Sequence, residues 1–241
     1  IKKKYSRFGL RNAAVRSSAT AEDLPTASFA GQYESFLNVK DVDQVSQCVK
    51  QCYASLWSSR AISYRQKNGI PHDKVQLGVV VQEMVPAESA GVLFTQNPVS
   101  QQPGELLIES NFGLGESIMS GRSSPDQFIV GKEGKPGRKR LSIIDKRIGK
   151  KGVAVKERKL KREGGTEYVK LSDEENAASS LTNQQILDLS RIGSDIERHF
   201  GSPQDIEWAI DKSNRLHILQ TRPITSLRKP APQDDVVWSR G

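Results

Sequence analysis

The chain has 241 residues, 36% of them hydrophobic and 27% charged, and a formal net charge of +8. That length supports one large domain or two small ones with an ample core, and the composition is that of a globular chain and not of a disordered one. No apolar run approaches the roughly 18 residues that a membrane-spanning helix requires, so a helical span is excluded and no membrane partner is expected.

Residues 1–11 are basic and read as the end of a helix. The chain opens on Ile1 and not Met, as a fragment or processed product would, so a lost targeting segment stays open beside the cytoplasmic location that the low cysteine count leads one to expect. NAAVRSSA, residues 12–19, reads as a short strand that delivers Arg16 at its end. The Gly-, Ser-, Thr- and Ala-rich stretch after it, which contains Gly31 and Ser35, reads as a loop or loose hairpin. Val42, Val45, Val49, Cys52 and Leu56 step by three and four, which predicts one long amphipathic helix over 41–67, stopped by Gly69 and Pro71. Cys48 and Cys52 have no histidine or third cysteine nearby. They are expected as buried thiols on the core stripe, in a reducing compartment, and not as metal ligands.

KVQLGVVVQEMV (74–85) and SAGVLFTQNP (89–98) predict two buried strands with a tight connection. Residues 104–121 pass from strand through a Gly-rich turn into a short helix, and SPDQFIV (124–130) starts a further strand. Residues 131–170 then hold fifteen Lys/Arg against five Asp/Glu, so the whole positive excess belongs to this Gly-rich segment and the remainder is slightly acidic. Its one aromatic residue is Tyr168, and a solvated loop or hairpin insertion is expected in preference to a nucleic-acid patch. NQQILDLSRIGSDIERHF (183–200) predicts a helix with Ile186, Leu189, Ile192 or Gly193, and Ile196 turned inward. Helices mixed with antiparallel strands, in place of strict alternation, predict an α+β fold. Gly113 and Gly115 are followed by Ile118, so there is no GxGxxG; a Walker A loop is absent too, and a nucleotide would need another scaffold.

DIEWAIDKSNRLHILQTRP, residues 205–223, reads as a β-hairpin with its turn at 211–214. Side chains alternate along a strand, with same-face neighbours about 7 Å apart, so Asp205 and Glu207 share a face, as do Gln220 and Arg222. A loop of even length brings all four to one side and leaves Ile206, Trp208, Leu219 and Thr221 on the other. His217 falls on the apolar side, His72 and His199 lie at turn or helix edges, and each is expected to be structural. From the hairpin alone two readings stay open. One is a solvated face with a cross-strand ion pair. The other is a metal and phosphate site, where oxygen ligands suit a hard cation such as Mg2+ and an arginine neutralises a terminal phosphate.

Four stretches occur in the order AVRSSATAEDLPTASFAGQYES, VVVQEMVPAESAGVLFTQNP, ESNFGLGESIMSGRSSPDQFIV and PQDIEWAIDKSNRLHILQTRPIT, over most of residues 10–225. Together they resemble the ATP-binding region of the phosphoenolpyruvate synthase and pyruvate phosphate dikinase family, including its rifampicin phosphotransferase-like members. The resemblance implies an ATP-grasp fold with mixed and antiparallel sheets and helices, and ATP and Mg2+ as ligands. It makes Arg16 the arginine on the ATP phosphates, and puts Gly31 and Ser35 in the loop that folds over them. Gln82, Glu83 and Met84 fall where adenine is held, and Glu116, after the FGLG turn, at the nucleotide end of the site. Glu207 and Gln220 correspond to the metal-proximal pair, Arg222 to the terminal-phosphate contact, and Asp205 to a neighbouring or additional metal group. Arg16 and Arg222 are thereby the expected catalytic residues, acting by positioning and charge neutralisation.

In this family the phosphoryl acceptor is a histidine on a separate, mobile domain, which passes the group to a substrate on a third. The sequence carries no match to that histidine motif, nor to the upstream Gly-Gly-Lys segment whose lysine also contacts ATP. Residues 1–225 are therefore expected to be a partial ATP-grasp domain lacking its N-terminal part, with 226–241 a linker to a downstream domain, and the fragment to be inactive alone. Phosphoenolpyruvate synthase is the expected parent activity. The alternatives are a rifampicin phosphotransferase-like antibiotic kinase, and a non-catalytic nucleotide- or RNA-binding module, although nucleic acid is not expected as a partner.

Overall fold

The computed structural model describes residues 5, 9–10, 12–20, 23–24, 27–28, 33–134, 140–158, 164–224 and 227. Gly31 and the linker expected over 226–241 lie outside the described residues, Leu227 aside. A three-stranded antiparallel sheet is formed by β1 (Ala13–Ala19), flanked by β4 (Ser35–Val39) and β5 (Leu77–Glu83). The two-residue strands β2 (Asp23–Leu24) and β3 (Ala27–Ser28) pair with each other between β1 and β4 in the chain. Arg16 sits in the middle of β1 and not at its end, opposite Ser35 on one side and Val80 on the other. β5 is not the fully buried strand expected: its side chains alternate, and Val80 is 48% exposed.

Helix α1 (Val42–Ser55) lays Val45, Val49 and Cys52 on this sheet, against Ala13, Val15 and Val39. The single helix expected over 41–67 is two, because Ser58 turns its hydroxyl to the Ala61 N–H and caps a new helix, α2 (Ser59–Lys67). The apolar period stops at the same point, since the positions three and four beyond Leu56 are Ser59 and Arg60.

The larger sheet is six-stranded and antiparallel. Its order is β13 (Leu216–Pro223), β12 (Gln204–Asp211), β6 (Ala87–Phe94), β7 (Glu105–Phe112), β8 (Asp126–Glu133) and β9 (Arg140–Arg147). Helix α5 (Asn183–Phe200) covers one face. It starts at a Thr182/Gln185 capping box and ends at Gly201, which takes the left-handed conformation. Ile186 and Leu189 join Leu93, Leu106, Ile108, Phe128, Ile206 and Trp208 in the main core. At Gly193 a Cβ would stand 2.4 Å from Leu93 Cδ2, so the missing side chain lets the helix come down onto β6. The short helices α3 (Glu116–Met119) and α4 (Asp173–Ala177) and a 3-10 turn at His72–Lys74 are also described, and the class is α+β as expected. No described helix is long and apolar enough to cross a membrane.

The basic segment is more than a solvated insertion. It supplies β9 at the sheet edge and a hairpin of β10 (Val153–Glu157) and β11 (Thr166–Lys170). Two of its lysines serve the interior. Lys151 Nζ is fully buried, 2.8 Å from Asp126 Oδ1, and also donates to the Asn176 and Ala178 carbonyls. The other Asp126 oxygen accepts from the Ser180 N–H and hydroxyl. Lys132 Nζ pairs with Glu197 at 2.8 Å and donates to the Thr95 carbonyl. A buried charge stripped of its partner is costly. Lys151→Met is expected to lower the unfolding free energy by about 3–5 kcal/mol, read from the urea midpoint; a loss below about 1 kcal/mol would mean that the pair does not hold residues 149–152 to β8.

Candidate functional site

The two sheets face each other across a cavity of about 630 Å³, within the range of small-molecule sites. The chain crosses from one sheet to the other between β5 and β6, where the Met84 N–H donates to Asn12 O and Val85 O accepts from the Ala87 N–H. Register sets the character of the cavity along its length. On the small sheet Ala14 lies opposite Gln82, and two residues on, Arg16 lies opposite Ser35. On the large sheet Ala209 lies opposite Ala90, and two residues back, Glu207 lies opposite Val92. One end is therefore bounded by the small and apolar groups Ala14, Met84, Val85, Ala90 and Leu114, with Gln82, Glu83 and Glu116 beside them, and the other by the paired charges of β1, β12 and β13.

At the charged end, β12 and β13 pair Asp205 with Arg222 and Glu207 with Gln220, the one-sided set that alternation predicts. Arg222 Nε donates to Asp205 Oδ2 at 2.8 Å. From the opposite sheet Arg16 Nη1 reaches Glu207 Oε2 at 2.7 Å and Gln220 Oε1 at 3.1 Å. Two carboxylates and two guanidinium groups thus balance in a partly buried cluster. The register shifts between Glu207 and Trp208, so Trp208 faces Ile218 and Leu219 is left out of the pairing. Leu219 consequently lines the cavity beside Gln220 and does not join the apolar face expected of it. Ile206 and Trp208 do enter the core, fully buried. At the hairpin turn His217 and Arg215 converge on Asp211, with the Ser213 and Arg215 N–H groups, and hold its carboxyl well below the usual range. The expected structural role suits His217, and likewise His72, whose Nδ1 accepts from buried Arg65.

Arg16, Ser35, Gln82, Glu83, Met84, Glu116, Glu207, Gln220 and Arg222 all line this one cavity, and Asp205 is tied to it through Arg222. Sequence reasoning missed a third wall. Gly164, Gly165 and Thr166, from the far end of the basic segment, also line the cavity. Asn38, at the end of β4, holds that wall through both backbone and side chain. Its Nδ2 donates to Gly165 O at 2.7 Å and its own carbonyl accepts from the Gly165 N–H. Gly165 has φ +94°, and a Cβ on Gly164 would lie 2.5 Å from Asn38 O, so the close approach requires glycine. The adjacent glycines in REGGTEY carried that signal. Thr166 Oγ1 then donates to Glu116 Oε2 at 2.8 Å, which orients the carboxylate after the FGLG turn. Gln44, Gln47, Cys48 and Gln51 on α1 were missed as well.

Among the described residues no three His, Cys, Asp or Glu side chains gather as a metal group. A hard cation fits the site nonetheless, because the Glu207 and Gln220 oxygens already converge on one positively charged nitrogen, Arg16 Nη1. These two residues would hold it, with oxygens supplied by a ligand.

The geometry defines an α+β domain whose two sheets enclose a cleft with small apolar groups towards one end and a balanced charge cluster at the other. The profile of the family described as pyruvate phosphate dikinase, AMP/ATP-binding domain, matches residues 1–237. The chain belongs to that family, and its ligand class is the adenine nucleotide. It is 48% identical over 223 residues to the rifampicin phosphotransferase of Bacillus subtilis, covering 92% of this chain and 24% of that protein. It is 46% identical over 236 residues to the phosphoenolpyruvate synthase of Pyrococcus furiosus, covering 95% and 28%. With a probable phosphoenolpyruvate synthase of Methanocaldococcus jannaschii the identity is 48% over 217 residues, covering 90% and 17%. The chain thus spans roughly a quarter or less of the length of these relatives. A solved L-amino acid ligase from Bacillus licheniformis aligns at 12% identity and a TM-score of 0.32 over 91% of this chain and 40% of that one, too weak a likeness to bear on the fold.

Cys48 lies on the cavity wall and Cys52 lies behind it in the core. Burial pushes the Cys52 thiol up to about 11, and raises Cys48 as well. The stability that the neutral Cys52 thiol contributes is full below its unfolded value near 9 and is lost as pH rises towards 11. Iodoacetamide at pH 8 is expected to label Cys48 first, with Cys52 slowed roughly a hundredfold relative to an ordinary thiol, tenfold for each unit. Peptide mapping by mass spectrometry checks this; equal labelling would mean that α1 does not seal the core.

Proposed function

We propose that the chain is the ATP-binding domain of a multidomain phosphotransferase, and that it presents the terminal phosphoryl group of Mg-ATP to a histidine on another domain of the parent protein. The observation that carries this reading is the Arg16, Glu207, Gln220, Arg222 and Asp205 cluster at one end of a cavity whose other end is apolar. Adenine fits the end bounded by Gln82, Glu83 and Met84, with Glu116, set by Thr166, at the nucleoside. The polyphosphate then runs toward Arg16 and Arg222, with Ser35, opposite Arg16, beside it.

Phosphoryl transfer asks a protein mainly for position and for neutralisation of charge. Arg222, held in place by Asp205, meets the terminal phosphate, and Arg16 meets the phosphates from the opposite sheet. Glu207 and Gln220 would hold Mg2+, whose charge would offset that of the phosphates. Asp205 is held apart from the phosphate by Arg222, which is paired to it. Gly31 is assigned to the loop that covers the phosphates, on resemblance alone.

The parent reaction we assign is that of a phosphoenolpyruvate synthase, with pyruvate on a third domain. Rifampicin phosphotransferase is the second reading, supported by the equal identity of the Bacillus subtilis enzyme. A solely RNA-binding role is disfavoured by the basic segment itself, which commits Lys132 and Lys151 to internal ion pairs. The two unpaired cysteines suit the cytoplasm.

Calorimetric titration of ATP into the chain, with and without Mg2+, tests the reading. Binding is expected to depend on Mg2+, and Glu207→Ala to abolish that dependence while the folded spectrum is kept. Arg222→Ala is expected to weaken ATP by about 1.5–3 kcal/mol, the range for a hydrogen bond to a charged group, and AMP by much less. Equal losses for both nucleotides would remove Arg222 from the terminal phosphate.

A further inference from the structure

We propose that in the nucleotide-free protein Arg16 fills the cation position of the Glu207–Gln220 pair, so that the metal enters only with a polyphosphate that draws Arg16 away. This rests on the reading of the cavity as a Mg-ATP site.

Three observations lead to it. The first is that one nitrogen, Arg16 Nη1, takes the acceptors of both residues, at 2.7 and 3.1 Å. Those are the oxygens that a hard cation would draw to itself, and they lie opposite each other on β12 and β13. A guanidinium and a metal ion cannot share them. The second is that Arg16 is incompletely satisfied where it sits: its Nε is buried and finds no acceptor. A buried donor left unmade is unfavourable, and a phosphate oxygen would supply what is missing, in the two-pronged geometry that arginine offers. The third is that Arg16 stands on β1, in the small sheet, while the acceptor pair stands on the large one. It can turn from carboxylate to phosphate without disturbing the pair. Arg222 has no such freedom, since it is locked by Asp205 on its own hairpin.

Charge makes the exchange conditional. With Asp205 and Glu207 set against Arg16 and Arg222 the cluster is neutral, and a bare divalent ion arriving at Glu207 meets the Arg16 guanidinium at contact distance. Like charges so close, in a partly buried site, oppose its entry. A polyphosphate reverses the sign of the problem, because it gives Arg16 a better partner and brings the metal oxygens of its own. The two ligands then favour each other, and by linkage the effect is reciprocal. The Arg16 contact also ties the two sheets together across the cleft.

The test uses Mn2+ as the probe, its free concentration read by electron paramagnetic resonance. The 241-residue chain is compared with Arg16→Met, which keeps the apolar stem, and with Arg16→Met combined with Glu207→Gln. Without nucleotide, Arg16→Met is expected to bind Mn2+ at least about tenfold more tightly than the unsubstituted chain, within the usual span of site-to-site coupling. The double variant is expected to lose that gain. Equal Mn2+ affinity in the unsubstituted chain and Arg16→Met overturns the inference, while ATP binding by the unsubstituted chain with Mn2+ present leaves the ATP reading standing. Absence of ATP binding in that arm overturns the ATP reading instead. A second measurement needs no substitution. The Arg16 Nε–H signal in a 15N side-chain spectrum is expected to stay put on addition of Mg2+ alone and to move with Mg-ATP. A full shift with Mg2+ alone overturns the exchange.

Discussion

The register of β12 is the constraint on which the rest depends. Ile206 and Trp208 are fully buried under α5, and between and beside them Asp205 and Glu207 point the other way. A slip of one residue would carry Trp208 into the cleft and two carboxylates into the core, so the apolar packing enforces the polar arrangement. β6 repeats the constraint from the other side. Gly91 faces Trp208, and a Cβ there would stand 1.8 Å from Glu109 O and 2.9 Å from the Trp208 ring. The large ring fits because its neighbour has no side chain. The charge cluster is in this sense a product of the core behind it.

A second dependence runs through the basic segment. Asp126 and Lys151, with Ser180 and the Gly149 N–H, fasten residues 149–152 to β8 in a fully satisfied buried network. From that anchor the chain passes into β10, where Val155 O accepts from the Leu114 N–H and the backbone runs beside Gly113. Gly113 has φ +76°, and a Cβ there would meet Val155 O at 2.2 Å, so the FGLG turn and β10 can only meet at a glycine. The turn that carries Glu116 is therefore set from behind by a segment forty residues further along the chain, roughly, and a buried ion pair fixes where that segment begins.

Much of this was legible in the sequence because alternation is a local rule. The four polar residues of the hairpin, the α+β class and the helix over 183–200 each follow from spacing within a short window. What escaped was decided at longer range or by single atoms. The break between α1 and α2 turns on one hydroxyl, that of Ser58. Leu219 changed sides because of a bulge that no residue type announces. The lysines at 132 and 151 look like their solvated neighbours in composition, and only their partners, Glu197 and Asp126, distant in sequence, make them interior groups. The third wall was hidden for the same reason, since Asn38 and Gly165 are brought together by the fold and not by any shared pattern.

That third wall bears on how such a domain can change over evolutionary time. A charged, glycine-rich stretch at the margin of a sheet looks like the natural place for length variation. Here the segment is pinned at Asp126 through residues 149–152, at Gly113 through Val155 and at Asn38 through Gly165. Insertions and deletions should accordingly avoid those pinned positions. The segment behaves as an arch whose span can be remodelled but whose footings cannot.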